Sequence, residues 1–571
     1  MKRFLKLAAL ILALIFTVVA AFLWWRTLPP QPPKHQLFIN GVVLTMDAAD
    51  RVASALALEG ERIVAVGDSA DLKTRYGRDA VIHDLAGKAL LPGFVDAHSH
   101  FPASGLSVFG VDLNSPPIGD LTSIAQLQQR LRAKAATTKK GAWIFGFGYD
   151  DTLLAEKRHP TRQELDAVST EQPIYVWHVS GHMGVANSRA LALAGIGPNT
   201  PNPPGGVIVR DARGEATGLV QENSAIEMQK LAMKIGPLDF LRMVRAASAE
   251  YAAQGVTTAQ SGAAAAETAK GLGLASRFGL VPMRLELWPM WDSLGPELRD
   301  GKAKVADYDT DRLRLGPVKF FSDGSIQGYT GFLGHPYHVP YHGDAEYRGF
   351  PTMEQKQLVA EIGRYHRAGI QLAIHANGDA AIDNVLDAIE IAQQETPRPD
   401  IRHILVHAQM ARADQLDRMA RLSVTPSFFS AHTYYWGDRH RDIFIGPERA
   451  ADISPTRWAK DRGLRFSVHL DTPVVPMNPR LLLWSTVNRL SSSGRVIGPA
   501  QRLTVMEALR AMTIDAAWQI HQEDRIGSLE PGKLADLVVL SDDPRKHPQT
   551  IRDLAVETTL VGGVPIYSRQ P

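Results

Sequence analysis

Two histidines, His98 and His100, directly follow the apolar run 90–95. Side chains alternate along a strand, so residues two positions apart point to the same side, where two imidazoles can reach one metal ion. With 19 histidines in 571 residues, chance alone gives about 0.6 such pairs, so the spacing by itself carries little weight. The position matters more, because barrel enzymes place their sites at strand ends. Two ordinary surface histidines are the alternative.

Four further polar residues end apolar segments along the chain: Lys319, His375, His407 and Asp471. Taken singly, an edge-strand lysine or a structurally satisfied histidine explains each of them. Taken in order with the histidine pair, they form a series of strand ends that carry metal-ligand side chains. In a barrel such ends converge on one face. Imidazole and carboxylate ligands there suit one or two divalent ions, with zinc the expected metal.

Composition narrows the chemistry further. The chain contains no cysteine, which excludes disulfides, thiol nucleophiles, iron–sulfur clusters and cysteine-ligated zinc. Its 62 basic and 60 acidic residues give a net charge of +2, without the basic excess of a general nucleic-acid binder. Hydrophobic residues make up 45% and charged residues 21%, which argues against a mostly disordered chain. We therefore expect a small-molecule substrate and no nucleic-acid partner.

The segments between the polar residues alternate between apolar strands and amphipathic helices. Residues 371–375 precede a helical pattern over 380–394, and residues 404–407 precede another over 413–422. This alternation predicts an α/β fold with a parallel sheet and crossover helices. We expect a (β/α)8 TIM-like barrel with insertions, because roughly 400 residues exceed the ~250 of a bare barrel. A doubly wound open sheet is the alternative, although no glycine-rich dinucleotide loop supports it.

Both ends of the chain have the pattern of β-structure. Asn40-Gly41 is a tight-turn signal between two short strands, and residues 536–540 and 560–567 resemble a strand and a hairpin. We expect the two ends to form one small β-sandwich. The predicted organisation is a membrane segment with a proline-rich linker over 1–34, sandwich parts over 35–90 and 521–571, and the barrel over 91–520.

The start of the chain resembles a membrane anchor. Three basic residues precede an apolar run over 7–25, and a proline-rich linker follows. A helix over this run spans ~28 Å, about the thickness of a bilayer core. The length and the closing Trp24-Trp25 pair favour an uncleaved single-pass helix over a cleaved signal peptide. We expect a bacterial inner-membrane protein that contacts the lipid bilayer, with the rest of the chain periplasmic or extracellular; secretion after signal cleavage is the alternative.

The ordered motifs resemble the amidohydrolase superfamily, in particular its family 3 branch with N-substituted formamide deformylase-like proteins. The resemblance rests on segments 91–100, 319–325, 375–379, 407–409, 471–474 and 527–539. It implies a barrel that carries a β-sandwich built from both termini. It also implies a metal-dependent hydrolase of carbon–nitrogen bonds other than peptide bonds, such as amides and N-acyl or N-formyl amines. A homodimer is a further expectation.

The resemblance also assigns roles by position. It implies two pairs of metal-binding histidines, His98 with His100 and His375 with His407. Asp471 would bind metal and act as general base, and then as acid toward the leaving amine. Lys319 would bridge two metals as a carbamate formed with carbon dioxide, which explains a lysine in an apolar strand. A site with one metal would leave Lys319 unmodified.

Other segments resemble substrate-site elements. The loop 180–187 would place His182 over the scissile carbonyl, as a second catalytic residue. Five side chains from two segments are expected to line the substrate pocket: Tyr149, Asp150, His432, Tyr435 and Trp436. Simple packing of loop aromatics is the alternative for this group.

Two alternative functions stay open. An ester or lactone hydrolase would use the same residues, because the same site attacks either kind of carbonyl. A membrane-anchored binding protein without catalysis belongs to a different class. The intact ligand set with Asp471 argues against it, since a binding protein needs no aspartate that moves protons.

Overall fold

The computed structural model describes residues 30–304, 307–310 and 312–570. The first described segment forms short strands joined by tight turns, with helix α1 (Ser69–Tyr76) among them. The strands are β1 (His35–Ile39), β2 (Val42–Leu44), β3 (Val52–Ala53), β4 (Ala55–Glu59), β5 (Arg62–Gly67), β6 (Val81–Asp84) and β7 (Ala89–Pro92). The predicted Asn40-Gly41 turn joins β1 to β2, and Asn40 has a positive φ of 56°, a conformation that asparagine tolerates.

An inserted unit follows β8 (Phe94–Val95), the first strand of the parallel region. Its strands are β9 (Val111–Asp112), β10 (Ile144–Tyr149), β11 (Ile174–His178), β12 (Met183–Ala186), β13 (Gly206–Arg210) and β14 (Ala216–Glu222). Its helices are α2 (Ile124–Thr137), α3 (Arg162–Asp166), α4 (Ser188–Leu193) and α5 (Asn223–Ala232), with a 3₁₀ helix over Ala103–Val108. The strands form one mixed sheet in the order β13-β14-β12-β11-β10-β9.

Strand–helix alternation then follows, as predicted. The strands are β15 (Val256–Ala264), β16 (Arg284–Pro289), β17 (Leu313–Leu315), β18 (Val318–Phe321), β19 (Leu372–Ala376), β20 (His403–His407), β21 (Val424–Phe428) and β22 (Ser467–Val468). The helices are α6 (Pro237–Ala253), α7 (Ala266–Arg277), α8 (Gly295–Arg299), α9 (Gln355–Arg367), α10 (Asp379–Glu395), α11 (Ala413–Leu422), α12 (His432–Arg439), α13 (Gly446–Ala451) and α14 (Thr456–Asp461). A 3₁₀ helix covers Ile326–Gly328 and a π-helix covers His440–Phe444.

These strands form two parallel sheets, β17-β16-β15-β8 and β18-β19-β20-β21-β22. Short links join the two sheets: Trp291 N donates to Lys319 O at 3.1 Å, and Asp471 N donates to His98 O at 3.1 Å. Between the described residues these links are single bonds and bridges rather than a continuous ladder. The predicted α/β fold is therefore present, whereas a closed TIM-like barrel stays a prediction.

The end of the chain returns to the strands of the start. It contains α15 (Pro479–Asn488), α16 (Val505–Ala511), α17 (Ile514–Gln519), 3₁₀ helices over Pro499–Gln501 and Pro548–Asp553, and strands β23 (Leu537–Leu540), β24 (Val556–Val561) and β25 (Val564–Ser568). Strand β23 pairs antiparallel with β7, within the sheet β25-β24-β23-β7-β2-β3. Apolar side chains of this sheet, such as Leu537 and Leu90, share one buried cluster with Phe38 and Leu56 of the sheet β5-β4-β1-β6. Both ends thus contribute to one two-sheet unit.

The predicted membrane segment, residues 7–25, lies outside the described residues. Among the helices of the described ranges, none has the length and apolar character needed to cross a bilayer.

Candidate active site

The strand-end residues singled out by the sequence lie close together in the structure. They come from or directly follow β8, β18, β19, β20 and β22, and are His98, His100, Lys319, His375, His407 and Asp471. The parallel register places them side by side, because Phe321 pairs with His375 and Ala376 pairs with His407. The backbone of the segment after β22 is held to that after β8, since His100 N donates to Thr472 O at 2.7 Å.

Asp471 lies among three imidazoles. Its Oδ1 is 3.1 Å from His100 Nε2 and 3.5 Å from His98 Nε2, and its Oδ2 is 3.8 Å from His407 Nε2. Oδ1 is buried, yet it accepts no hydrogen bond from any described residue. A buried carboxylate oxygen without a partner is costly, so this atom points to a further ligand between the imidazoles.

Lys319 is fully buried beside this cluster. Its Nζ is 3.2 Å from His98 Nε2 and lies over the Phe321 ring at 5.0 Å. No carboxylate of the described ranges comes within 4.0 Å of Nζ to form an ion pair. Burial therefore lowers the pKa of Lys319 to about 7, because desolvation penalises the charged amine.

Hydrogen bonds fix the tautomer of His98. Gln260 Nε2 donates to Ala97 O at 2.8 Å, which turns Gln260 Oε1 toward His98 Nδ1 at 2.7 Å. Nδ1 therefore carries the proton, and the lone pair of Nε2 faces Lys319 and Asp471. Burial also holds the pKa of His98 well below its usual range, so the ring is neutral, as a metal ligand must be.

A chain of hydrogen bonds fixes His407 in the same way. His407 Nδ1 lies 3.0 Å from His469 Nε2, and His469 Nδ1 lies 2.8 Å from Ser427 Oγ. The chain continues from Ser427 through the Ser467 hydroxyl to Gln519 Oε1. Every donor is satisfied if each group donates to the next, beginning with His407 Nδ1–H. The lone pair of His407 Nε2 then faces Asp471, an arrangement that outer partners impose on many metal-binding histidines.

His375 completes the group. Its Nε2 donates to Gly324 O at 3.1 Å, which leaves Nδ1 as the ring nitrogen with a lone pair. Its ring centroid lies 4.5 Å from that of His407 and 4.9 Å from that of His182. Burial keeps its pKa well below the ordinary histidine value, so His375 is also a neutral ligand candidate.

His182, the predicted carbonyl-facing residue, lies next to His375. Its Nδ1 is 2.8 Å from Glu222 Oε2. Burial lowers the pKa of His182, but the adjacent Glu222 carboxylate outweighs burial and the net pKa is raised. His182 thus differs from the neutral histidines around Asp471.

Four of the five predicted pocket residues divide into two groups. Asp150, Tyr435 and Trp436 line a small cleft, where Asp150 also binds Arg439 and accepts a hydrogen bond from Trp436 Nε1 at 3.3 Å. Tyr149 instead packs into the core of the inserted unit. There its hydroxyl lies 3.0 Å from the ring nitrogen of His159.

His432, the fifth predicted pocket residue, is buried near His407. Its ring lies 4.0 Å from that of Phe429 and 6.5 Å from that of His407, between ring centroids. Its Nδ1 is buried without a hydrogen-bond partner among the described residues.

The donor set fits a divalent metal. Neutral imidazoles and a carboxylate are ligands that zinc accepts, and Asp471 Oδ1 is the orphaned buried atom that such an ion would satisfy. No sequence pattern indicated a role for Gln260, Ser427 or Glu222. Each is a polar residue in a buried strand, and this pattern does not identify the residue with which it forms a hydrogen bond.

The chain is similar to known proteins over most of its length. A profile described as the amidohydrolase family matches residues 81–567. N-substituted formamide deformylase of Arthrobacter pascens is 30% identical over 94% of this chain and 99% of that protein. The crystal structure of an uncharacterized metal-dependent hydrolase from Pyrococcus furiosus covers 90% of this chain and 100% of its own, with a TM-score of 0.69 and 27% identity.

A more distant structure shares the fold alone. It is an adenosine deaminase from Xanthomonas campestris with bound zinc, which covers 94% of this chain and 93% of its own, with a TM-score of 0.53 and 16% identity.

Proposed function

This chain belongs to the amidohydrolase family, and we propose that it is a metal-dependent hydrolase of non-peptide carbon–nitrogen bonds. The substrate class is amides, including N-acyl and N-formyl amines. The observation that carries the proposal is the contact of one buried carboxylate, Asp471, with three imidazoles. The relative from Arthrobacter pascens, whose name is N-substituted formamide deformylase, supports the choice of substrate class.

The metal would be held by residues from several strand ends. The proposed ligands are His98, His100, His375, His407 and Asp471, and the proposed metal is zinc, as one or two ions. When bound, the metal supplies a Lewis acid that lowers the pKa of a water and polarises a carbonyl group. Gln260 and His469 hold two of the ligand rings with their lone pairs toward the site.

Asp471 is the proposed proton carrier. It accepts a proton from the attacking water and then delivers it to the leaving nitrogen, so that an amide and water give a carboxylic acid and an amine. His182 would donate from Nε2 to the carbonyl oxygen as negative charge develops there.

Lys319 is proposed to be carbamylated. Lys319 is buried and forms no ion pair with any residue of the described ranges. Its neutral amine can add carbon dioxide to form a carbamate and release a proton. The product would be an anionic ligand between two metals, whereas an unmodified Lys319 would indicate one metal. An intact-mass increase of about 44 Da that disappears in the Lys319→Met variant, together with metal stoichiometry, decides between them.

Two parts of the architecture belong to the proposal as well. The two parallel sheets would close into a (β/α)8 barrel through the links at Lys319 and His98. Residues 7–25 would anchor the protein in the inner membrane, with the catalytic region outside the cytoplasm, and the protein would be a homodimer. A mature protein that starts beyond Trp25 would contradict the anchor.

The decisive experiment uses the purified full chain. We expect stoichiometric zinc and hydrolysis of an N-formyl or N-acyl amine within a panel of amides, cyclic amides, esters and lactones. Activity confined to esters or lactones would replace the amide assignment. A folded protein that binds no divalent metal would contradict the enzyme itself.

A further inference from the structure

We propose that Glu222 is a positioning residue that fixes the ring of His182 toward the reacting centre. This inference rests on the proposed function, because it concerns how the same site presents His182 to a carbonyl oxygen. Glu222 is the last residue of β14 and His182 immediately precedes β12. The antiparallel register, which pairs Met183 with Gln221, therefore sets Glu222 opposite His182.

Two hydrogen bonds join these residues in opposite directions. Glu222 N donates to His182 O at 2.7 Å, and His182 Nδ1 donates to Glu222 Oε2 at 2.8 Å. The first bond sets the separation of the two backbones, and the second sets the rotation of the ring. With Nδ1 used in this way, Nε2 is the ring nitrogen left for a ligand.

The structure holds the Glu222 side chain in a tight enclosure. Its side chain is only 4% exposed, and Oε1 is buried without a hydrogen bond from any described residue. A Cβ at Gly324 would lie 2.0 Å from Oε1, so the absence of a side chain at that position makes room for the carboxylate. Gly324 also presents the carbonyl that binds His375 Nε2. Glu222 thus fits between His182 and the loop that orients a proposed ligand.

The backbone at Glu222 is unusual. Its φ is 51° and its ψ is −124°, a region that residues other than glycine rarely occupy and that tends to mark functional sites. The turn comes where β14 ends and α5 begins, and it carries the carboxylate toward His182. A strand can end without this rare conformation. Its presence at Glu222 therefore supports a specific task for the side chain.

The test compares three substitutions in the full chain. Glu222→Ala removes the acceptor, and we expect kcat to fall about 10- to 100-fold while KM changes less than about threefold, as for an interaction used mainly in the transition state. Glu222→Gln keeps an oxygen that accepts from Nδ1, so we expect it to restore at least half of the loss on a logarithmic scale. Glu227→Ala is the matched control, because Glu227 is an exposed glutamate of α5 paired with Lys230.

A double-mutant cycle separates positioning from general damage. If Glu222 acts through His182, adding Glu222→Ala to His182→Ala changes kcat less than about twofold, since the group being positioned is gone. Additive losses would overturn the proposal. So would a Glu222→Gln variant that folds normally but is as impaired as Glu222→Ala.

Crystal structures of the variants give a readout that does not depend on turnover. We expect the His182 ring to leave its position in Glu222→Ala and to keep it in Glu222→Gln. A ring that stays in place in Glu222→Ala overturns the proposal. If the wild-type protein hydrolyses no amide, the proposed function fails, while the ring positions still decide the role of Glu222; if Glu222→Ala does not fold, Glu222→Gln decides it alone by the position of the ring.

Discussion

Two clusters of histidine and aspartate in this molecule have similar composition, but their ligand atoms differ in whether the protein supplies hydrogen-bond partners. The Asp471 cluster consists of His98, His100 and Asp471, and the Asp150 cluster consists of Asp150, Asp151 and His178. In each, ligand atoms lie within 4.8 Å of one another. By residue type and distance alone, both would suit a metal ion.

Their hydrogen bonds distinguish them. Asp150 is neutralised by Arg439 and accepts a bond from Thr152 Oγ1 at 2.6 Å. Asp151 is bound by His178 Nε2 at 3.0 Å, with His159 Nε2 at 3.7 Å. The Asp150 cluster is therefore satisfied by the protein itself.

The Asp471 cluster is left open. His98 directs the lone pair of Nε2 inward, and within the described ranges Asp471 Oδ1 has no donor and the neighbouring Lys319 has no ion pair. Unsatisfied ligand atoms, rather than proximity, therefore distinguish the candidate metal site from the Asp150 cluster. The Asp150 cluster instead ties the inserted unit to α12 through Arg439.

The largest expected effect comes from Asp471→Asn. An amide cannot accept the proton of the attacking water, so we expect kcat to fall by about 10³-fold or more, at the upper part of the range for acid–base groups. Steady-state kinetics on the best amide of the panel measure it. Asp461→Asn, at a side chain 58% exposed, is the control. Activity within tenfold of wild type would show that Asp471 does not move the proton.

Asp150→Ala should act on stability instead. It leaves the guanidinium of Arg439, which is mostly buried, without its carboxylate, and breaking a buried pair costs about 3 kcal/mol. Urea unfolding measures this loss, and the metal content should stay unchanged. Asp461→Ala, which breaks an exposed pair with Arg457, should cost under about 1 kcal/mol. Loss of metal from Asp150→Ala would remove the distinction between the two clusters.

The clusters should also respond to acid at different pH. In metal-free protein, burial keeps the pKa values of His98 and of its neighbour His407 well below 6.5. These histidines therefore cost no stability well above pH 6.5, and they oppose folding increasingly below it, because the unfolded chain takes up the protons first. Each such histidine lowers the free energy of unfolding by about 2 kcal/mol between pH 7 and 5. Urea unfolding of the His98→Asn variant should show a free energy of unfolding that falls less steeply between pH 7 and 5 than that of the wild type.

The Asp151 carboxyl should take up its proton, and so lower the free energy of unfolding, in stronger acid. Burial raises the pKa of this carboxyl, but His159 and His178 outweigh burial and hold the pKa below 3.8. Its contribution to stability is therefore present above pH 3.8 and is lost as the pH falls below that value. Asp151→Asn should therefore show a shallower dependence of the free energy of unfolding on pH below pH 3.8, measured by urea unfolding. An unchanged dependence in that range would contradict the assignment of a stabilising, ionised carboxyl to Asp151.

The smallest predicted effect tests the chain of hydrogen bonds behind His407. His469→Phe removes the acceptor of His407 Nδ1–H, and we expect zinc affinity to fall at least about tenfold. Competition with a fluorescent chelator measures it, with exposed His547→Phe as the control. Unchanged affinity would mean that β20 alone orients His407.

The sequence predicted the parts of the site that depend on strand ends. His375 and His407 could be placed because each closes an apolar run before a helical pattern, and the predicted helix over 413–422 coincides with α11. The partners of those ligands could not be placed. Glu222 lies 40 residues from His182 and Gln260 lies 162 residues from His98, so their contacts exist only after the fold forms.

Local patterns failed for a different reason in the inserted unit. The sequence predicted insertions into the barrel but no separate sheet within them. In the structure, β9 to β14 form one six-stranded mixed sheet. Mixed pairing gives no strand–helix alternation to recognise. Tyr149 shows the same limit, because alternation along β10 alone did not indicate which of its faces packs into the core of that unit.

The sharing of one sheet by both ends has a consequence for biosynthesis. Gln36 Nε2 donates to Gly563 O across 527 residues. Strand β7 pairs with β2 on one side, but it gains its neighbour on the other side only when β23 has been made. At about 5–20 residues per second, a ribosome needs on the order of 30–100 s between these points. During that time the nascent β7 edge is open to wrong partners, so a product truncated before β23 is expected to be a substrate for chaperones and proteases.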